Sequence, residues 1–215
     1  MKIYPLSERI ARFTRSRFRL FGTIAIFTFL LCYVVFHMMN DKNYLTVGLT
    51  GVQHMGKNFH VSEFYVDGYS GGNVGREGGG GSDYCCVTLP EKWRPGMVAE
   101  LRWAVADWSK ENKEETAVGN YRSITWKCFK AIVPVEKYDG EPEQLYVHFF
   151  AGGLARMVSS GPAPESTAHP IRRNDPHASE TATIGTPVPS LFTEVELAEM
   201  TRKYYEQKAK YGSWK

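Results

Sequence analysis

The stretch Met97-Val-Ala-Glu-Leu-Arg-Trp-Ala-Val-Ala-Asp-Trp108 decides how this chain folds. Leu101, Trp103 and Val105 fall on one side of an extended segment and Glu100 and Arg102 on the other, which is the period-two pattern of a half-buried strand. The alternation recurs on both sides of it. Leu45, Val47 and Leu49 alternate with Thr46, Gly48 and Thr50, and the run from Val61 to Val66 ends at Asp67-Gly68, a dipeptide suited to a tight hairpin. Tyr121 to Val135 continues the habit, with Ile124, Trp126 and Cys128 expected inward, and Leu145 to Phe150 adds another strand. Five or more short strands predict a mainly β domain over residues 44–158, an antiparallel β-sandwich or open barrel.

Two stretches interrupt the strands. Gly68 to Ser82 contains eight glycines, four of them consecutive from Gly78 to Gly81. Residues 159–192 are rich in Pro, Ser, Thr and Ala. Neither carries enough apolar surface to pack, so both read as loops, mobile or available for contact. After them Thr193 and Glu196 form a capping box, with Phe192 and Leu197 as a hydrophobic staple, and predict a helix over 193–211. Its acidic residues lie early and its basic ones late, as the helix dipole favours. Leu197, Met200, Tyr204 and Tyr205 form an apolar stripe expected to pack on the sheet.

Ahead of the β domain, residues 20–39 carry no formal charge apart from His37. A helix of this length spans the hydrocarbon core of a bilayer at about 1.5 Å per residue. Lys2, Arg9, Arg12, Arg15, Arg17 and Arg19 precede it, so residues 1–19 are expected in the cytoplasm and everything after the anchor on the periplasmic side of a bacterial inner membrane. A cleaved signal peptide would need a shorter apolar core and a small-residue cleavage site; a lipoprotein signal would need a small residue before Cys32, where Leu31 stands. The basic start accounts for the net charge of +3, and the remainder is near −2. That balance argues against a nucleic-acid footprint.

Cys85, Cys86 and Cys128 suit an oxidising compartment. Adjacent cysteines in a strand face opposite ways, so Cys128 could bridge to one of the pair; three reduced, buried thiols are the alternative.

Candidate chemistry is thin. Gly68-Tyr69-Ser70-Gly71-Gly72 fits the G-x-S-x-G elbow of serine hydrolases, yet an elbow must lead into a helix, and the residues after Gly72 are too glycine-rich to start one. A phosphate loop would need a Gly-Lys-Ser/Thr that is missing. His54, His60, His148, His169 and His177 show no metal-ligand spacing, and Asp67, Asp83 and Asp107 sit where turns explain them. No metal, cofactor or small-molecule substrate is expected, and the chain reads as a binding protein rather than an enzyme. Trp103 and Trp126 suit core positions, whereas Trp93 and Trp108 lie at element ends where an interface anchor could sit.

Gly71-Gly72-Asn73, the glycine run, Cys85-Cys86-Val87, Leu89-Pro90-Glu91-Lys92-Trp93-Arg94-Pro95-Gly96, Trp103, Gly152-Gly153 and His169-Pro170 form a pattern. Over Leu45 to Pro170 it resembles a family of bacterial envelope proteins known as a domain of unknown function. That family is associated with type VI secretion lipase effectors, which implies an immunity protein that holds a secreted phospholipase inactive in the periplasm. The resemblance brings no catalytic residues. It implies a contact surface instead, for which Tyr69, Arg76, Glu77 and Tyr84 around the glycine-rich loop come first and Trp93 with Arg94 second. A structural envelope protein without a toxin partner is the alternative reading.

Overall fold

The computed structural model describes residues 26, 28–31, 33, 43–76, 84–173 and 175–211. The chain divides into two units, Met1–Asn43 and Tyr44–Lys215. In the first, residues 26, 28–31 and 33 are helical and exposed. Most of the expected anchor over 20–39 lies outside the described residues, and among those described no helix is long and apolar enough to cross a membrane.

The second unit is mainly β. Its strands are β1 (Tyr44–Gln53), β2 (Phe59–Val66), β3 (Tyr69–Val74), β4 (Tyr84–Pro90), β5 (Val98–Asp107), β6 (Thr125–Pro134), β7 (Gln144–Phe150), β8 (Leu154–Ser160), β9 (Thr183–Ile184) and β10 (Thr186–Val188). A short helix α1 (Lys113–Ala117) links β5 to β6, and α2 (Glu194–Tyr211) closes the chain. Sheet A runs β4-β1-β7-β8-β9 and sheet B runs β10-β6-β5-β2-β3.

The expected all-antiparallel arrangement needs one correction: β1 and β7 are parallel, with Leu49 opposite Leu145 and Gln53 opposite Phe149. A parallel pair requires a long crossover. Here the crossover is most of sheet B, since β2, β3, β5 and β6 intervene in the chain.

The Met97 to Trp108 stretch behaves as its pattern predicts. Leu101, Trp103 and Val105 are buried in the core between the sheets, where the Trp103 ring stacks on Phe129 with centroids 5.3 Å apart. Asp67 and Gly68 both take positive φ, 48° and 83°, and join β2 to β3 as a two-residue hairpin. Phe64 fixes two glycines across the core: a Cβ at Gly71 would lie 2.0 Å from its ring and one at Gly51 would lie 2.8 Å from it.

Ile124 is buried as expected, but on β6 itself the expected faces are reversed. Phe129 and Val133 are buried, Trp126 is 51% exposed and Ile132 is exposed as well. The strand begins at Thr125, because Ile124 N–H closes a turn onto Tyr121 O instead of entering the ladder. A one-residue shift in a period-two pattern moves every side chain to the other face. Cys128 therefore leaves the core and is a free thiol. Turned out of the core, it points away from sheet A, which carries β4, and its expected bridge to Cys85 or Cys86 is not formed.

Residues 161–182 also depart from expectation. Ile171 and Ala178 are buried with Val52, Tyr146, Phe150 and Val158 in a second core on the outer face of sheet A. Both faces of β7 are consequently buried: Leu145, Val147 and Phe149 toward sheet B, Tyr146, His148 and Phe150 beneath this segment.

The C-terminal helix starts where the capping box put it. Thr193 N–H donates to Glu196 Oε2 at 2.8 Å and Glu196 N–H donates to Thr193 Oγ1 at 3.2 Å. Phe192, expected in the staple, packs edge-on against Tyr65 and lies under the Arg102 guanidinium. Beyond this first turn the expected packing on the sheet is not seen: Leu197, Met200, Tyr204 and Tyr205 are exposed.

Candidate functional site

His148 is the least expected residue in the core. It occupies the middle of β7, alternating with Tyr146 and Phe150 on the outer face of sheet A, and has no exposed surface. A buried imidazole needs partners for both ring nitrogens. It finds two other histidines. His148 Nδ1 lies 2.8 Å from Nε2 of His54, which comes just after the end of β1, and its Nε2 lies 3.1 Å from Nε2 of His169 in the covering segment. The outer nitrogens are tied to backbone: His54 Nδ1 lies 3.1 Å from Arg173 O and His169 Nδ1 lies 2.7 Å from Pro162 O.

Aromatic rings enclose the chain of imidazoles. Phe150 stacks on His54 at 4.6 Å and Tyr146 meets His169 edge-on at 4.8 Å. Burial lowers the pKa of all three histidines, most strongly that of His148. His54 also forms a wall of a cleft of about 350 Å³, shared with Phe150, Arg173 and Asp175. Among the described residues, no group of three or more His, Cys, Asp or Glu has the geometry to hold a metal ion.

Sequence spacing could not reveal this cluster, since its members are 94 and 21 positions apart. The one local signal is that the alternate face of β7 pairs His148 with the apolar rings of Tyr146 and Phe150, a face that a half-buried strand would leave polar.

The residues expected to meet a partner are dispersed. Tyr69 projects from the β2–β3 hairpin and is 52% exposed. Arg76 is a structural post: its Nε donates to Lys57 O at 2.9 Å, its Nη1 pairs with Glu111 at 3.2 Å, and its guanidinium covers Trp108 at 5.0 Å. Glu77 lies outside the described residues, as does the side chain of Tyr84. Trp93 packs against the core, and its Nε1–H donates to Val135 O at 2.9 Å. Arg94 flanks the turn, where its N–H approaches Met97 Sδ at 3.3 Å and Gly96 takes φ 83°. The Leu89 to Gly96 motif is thus the β4–β5 connection, and its tryptophan fastens that connection to the end of β6.

Ser70 lies within β3, where its Oγ accepts from Gly72 N–H at 3.3 Å. A strand, not a helix, surrounds it, so the geometry of a nucleophile elbow is absent at this serine.

A family model described as a protein of unknown function (DUF3304) matches residues 54–157. No curated protein and no solved structure matches the chain. The matched region runs from His54 through β2 into β8, contains His54 and His148 and stops before His169, so the last imidazole comes from outside the match.

Proposed function

We propose that this chain is a membrane-anchored binding protein of the bacterial envelope, whose partner is a secreted type VI phospholipase effector that it holds inactive on the periplasmic side. The observation that carries the binding role is α2. This helix has 18 residues, is tied to sheet B through its first turn, and leaves Leu197, Met200 and Tyr204 exposed along one face. Apolar side chains at i, i+3 and i+7 on an exposed helix suit a groove or face on a partner. Tyr69 at the hairpin tip offers a second anchor of a kind favoured at interfaces. The lipase partner and the periplasmic side come from the resemblance over Leu45 to Pro170 and from the basic segment ahead of residues 20–39. A resident inhibitor of a lipase acting from the periplasm needs export, retention and a complementary surface, and no reactive group of its own.

The test is capture with the tagged full chain from its own strain, compared with a variant carrying Leu197→Ala, Met200→Ala and Tyr204→Ala. Recovery of one stoichiometric lipase, its activity falling on binding and its capture lost with the variant, supports the proposal. Recovery of cell-wall or outer-membrane components alone moves the protein to the structural envelope reading.

A further inference from the structure

Arg173 O, His54, His148, His169 and Pro162 O form an unbranched chain of four contacts, each between 2.7 and 3.1 Å. Each contact needs one proton, and a neutral imidazole carries one ring N–H. Three neutral rings therefore supply three protons for four contacts. The carbonyls can only accept, so the Nδ1 atoms of His54 and His169 are the protonated ones and both Nε2 atoms are left as acceptors. His148 then faces an acceptor at each ring nitrogen. With a single N–H it satisfies one and sets two lone pairs together at the other, on a ring with no exposed surface.

We infer that the three histidines form one proton-binding site, which takes up a single proton on His148, shares it with both neighbours, and in that state completes all four hydrogen bonds, instead of three, of the chain that links residues 162–173 to sheet A.

The charged groups around the cluster are compatible with one added charge. Arg156 on β8 stands opposite His148 in register, and Glu136 engages its Nε at 2.6 Å and its Nη2 at 2.8 Å. Arg173 at the His54 end is paired with Glu165 at 2.7 Å. Asp175 lines the cleft that His54 also lines, which gives the proton a route from solvent. From β7 and β1 the remaining walls are Tyr146, Phe150 and Val52, none of which brings a charge at neutral pH. A second proton would give five for four contacts and force two N–H groups together. Since burial disfavours charge at all three rings, uptake falls below their ordinary value of 6.5. The titration then belongs to the cluster and not to one ring.

The competing occupant of a pair of facing Nε2 atoms is a metal ion. Zinc asks for three or four ligands, and among the described residues His148 and His169 alone present lone pairs toward that point.

The full chain, labelled with ¹⁵N at histidine, is followed by long-range proton–nitrogen correlation as pH falls from 8 toward 4.5. The expected result is a Nδ1–H tautomer at His54 and His169 throughout, with one midpoint below 6.5 common to all three rings and an amplitude of one proton. His169→Gln replaces an acceptor with an amide that can donate to His148, so it should lose this step while the backbone spectrum is retained. His54→Gln makes the same test from the other end if the first variant fails to fold. Separate midpoints for the three rings, no titration before unfolding, persistence of the step in both variants, or stoichiometric binding of added Zn²⁺ at these nitrogens would each overturn the inference.

Discussion

Arg102 Nη2 lies 2.7 Å from Glu196 Oε1, and this pair fastens the start of α2 to the outer face of sheet B. The same guanidinium donates from Nη1 to Leu191 O at 2.8 Å and from Nε to Glu100 at 2.6 Å, so one side chain gathers β5 and the segment entering the helix. The Arg102 bond, followed by the N–H and hydroxyl of Thr193, lowers the Glu196 carboxyl from 4.5 to about 2. A depressed carboxylate contributes fully above its unfolded value and loses its contribution as pH falls through the folded one. Amide protection in the first turn of α2 should therefore be constant above about pH 5 and decline toward pH 2. Glu196→Gln should reduce that protection at neutral pH and flatten its decline. Equal protection in the variant and the parent, measured by hydrogen exchange, would show that Arg102 does not hold the helix.

Trp93 separates a structural role from a partner-binding one. Its Nε1–H bond to Val135 O is removed by Trp93→Phe, which keeps most of the ring, and should cost about 1 kcal/mol of stability. Trp93→Ala also opens a cavity against the core and should cost roughly 2–4 kcal/mol, less than a fully buried tryptophan because the residue is half-buried. Urea unfolding measures both. Unchanged midpoints combined with lost partner capture would return Trp93 to the interface.

Gly71 tests the close approach of β3 to Phe64. A Cβ there would lie 2.0 Å from the ring, whereas one at Gly75 would meet nothing within 4 Å. Phe64 is fully buried and bounded on its other side by Gly51, so it has little room to retreat. Gly71→Ala should destabilise by about 1–3 kcal/mol or more, as overpacked cores do. Gly75→Ala should stay within about 0.5 kcal/mol, as surface changes do. Similar values for the two would mean that the ring moves freely.

What the sequence made legible was whatever repeats at short range. The β5 faces, the Asp67-Gly68 hairpin and the Thr193–Glu196 cap each rest on residues within a few positions of one another, and all three stand in the structure. The β6 faces were misread because Tyr121 to Ile124 looks like strand while its backbone makes a turn, and an error of one residue exchanged Trp126 for Phe129. Parallel pairing of β1 with β7 leaves no local mark. Nor does the second core, whose Ile171 and Ala178 are isolated apolar residues in a polar segment and become buried only because sheet A presents Val52, Tyr146 and Phe150 beneath them. The histidine chain was hidden for the same reason, since it exists only after β1, β7 and the covering segment meet.

The three histidines also contribute to the acid sensitivity of the fold. In the unfolded chain each titrates near 6.5, while in the folded chain burial lowers His54, His148 and His169. The unfolded state thus binds more protons below that value, and stability present above pH 6.5 is lost as pH falls through it. His60 is lowered as well, by burial and then by the nearby Arg76, so the measurement belongs in a His60→Gln background. If the folded cluster accepts one proton, the unfolded state exceeds it by two across these rings; if the cluster accepts none, it exceeds it by three. The pH slope of unfolding free energy from urea titrations, compared with that of a His54→Gln, His148→Gln and His169→Gln triple variant, measures the difference. Should the triple variant fail to fold, the single His54→Gln and His169→Gln variants make the same comparison one ring at a time. A slope that does not change between pH 7.5 and 5.5 would mean that the imidazoles titrate in the folded protein as they do in the unfolded chain.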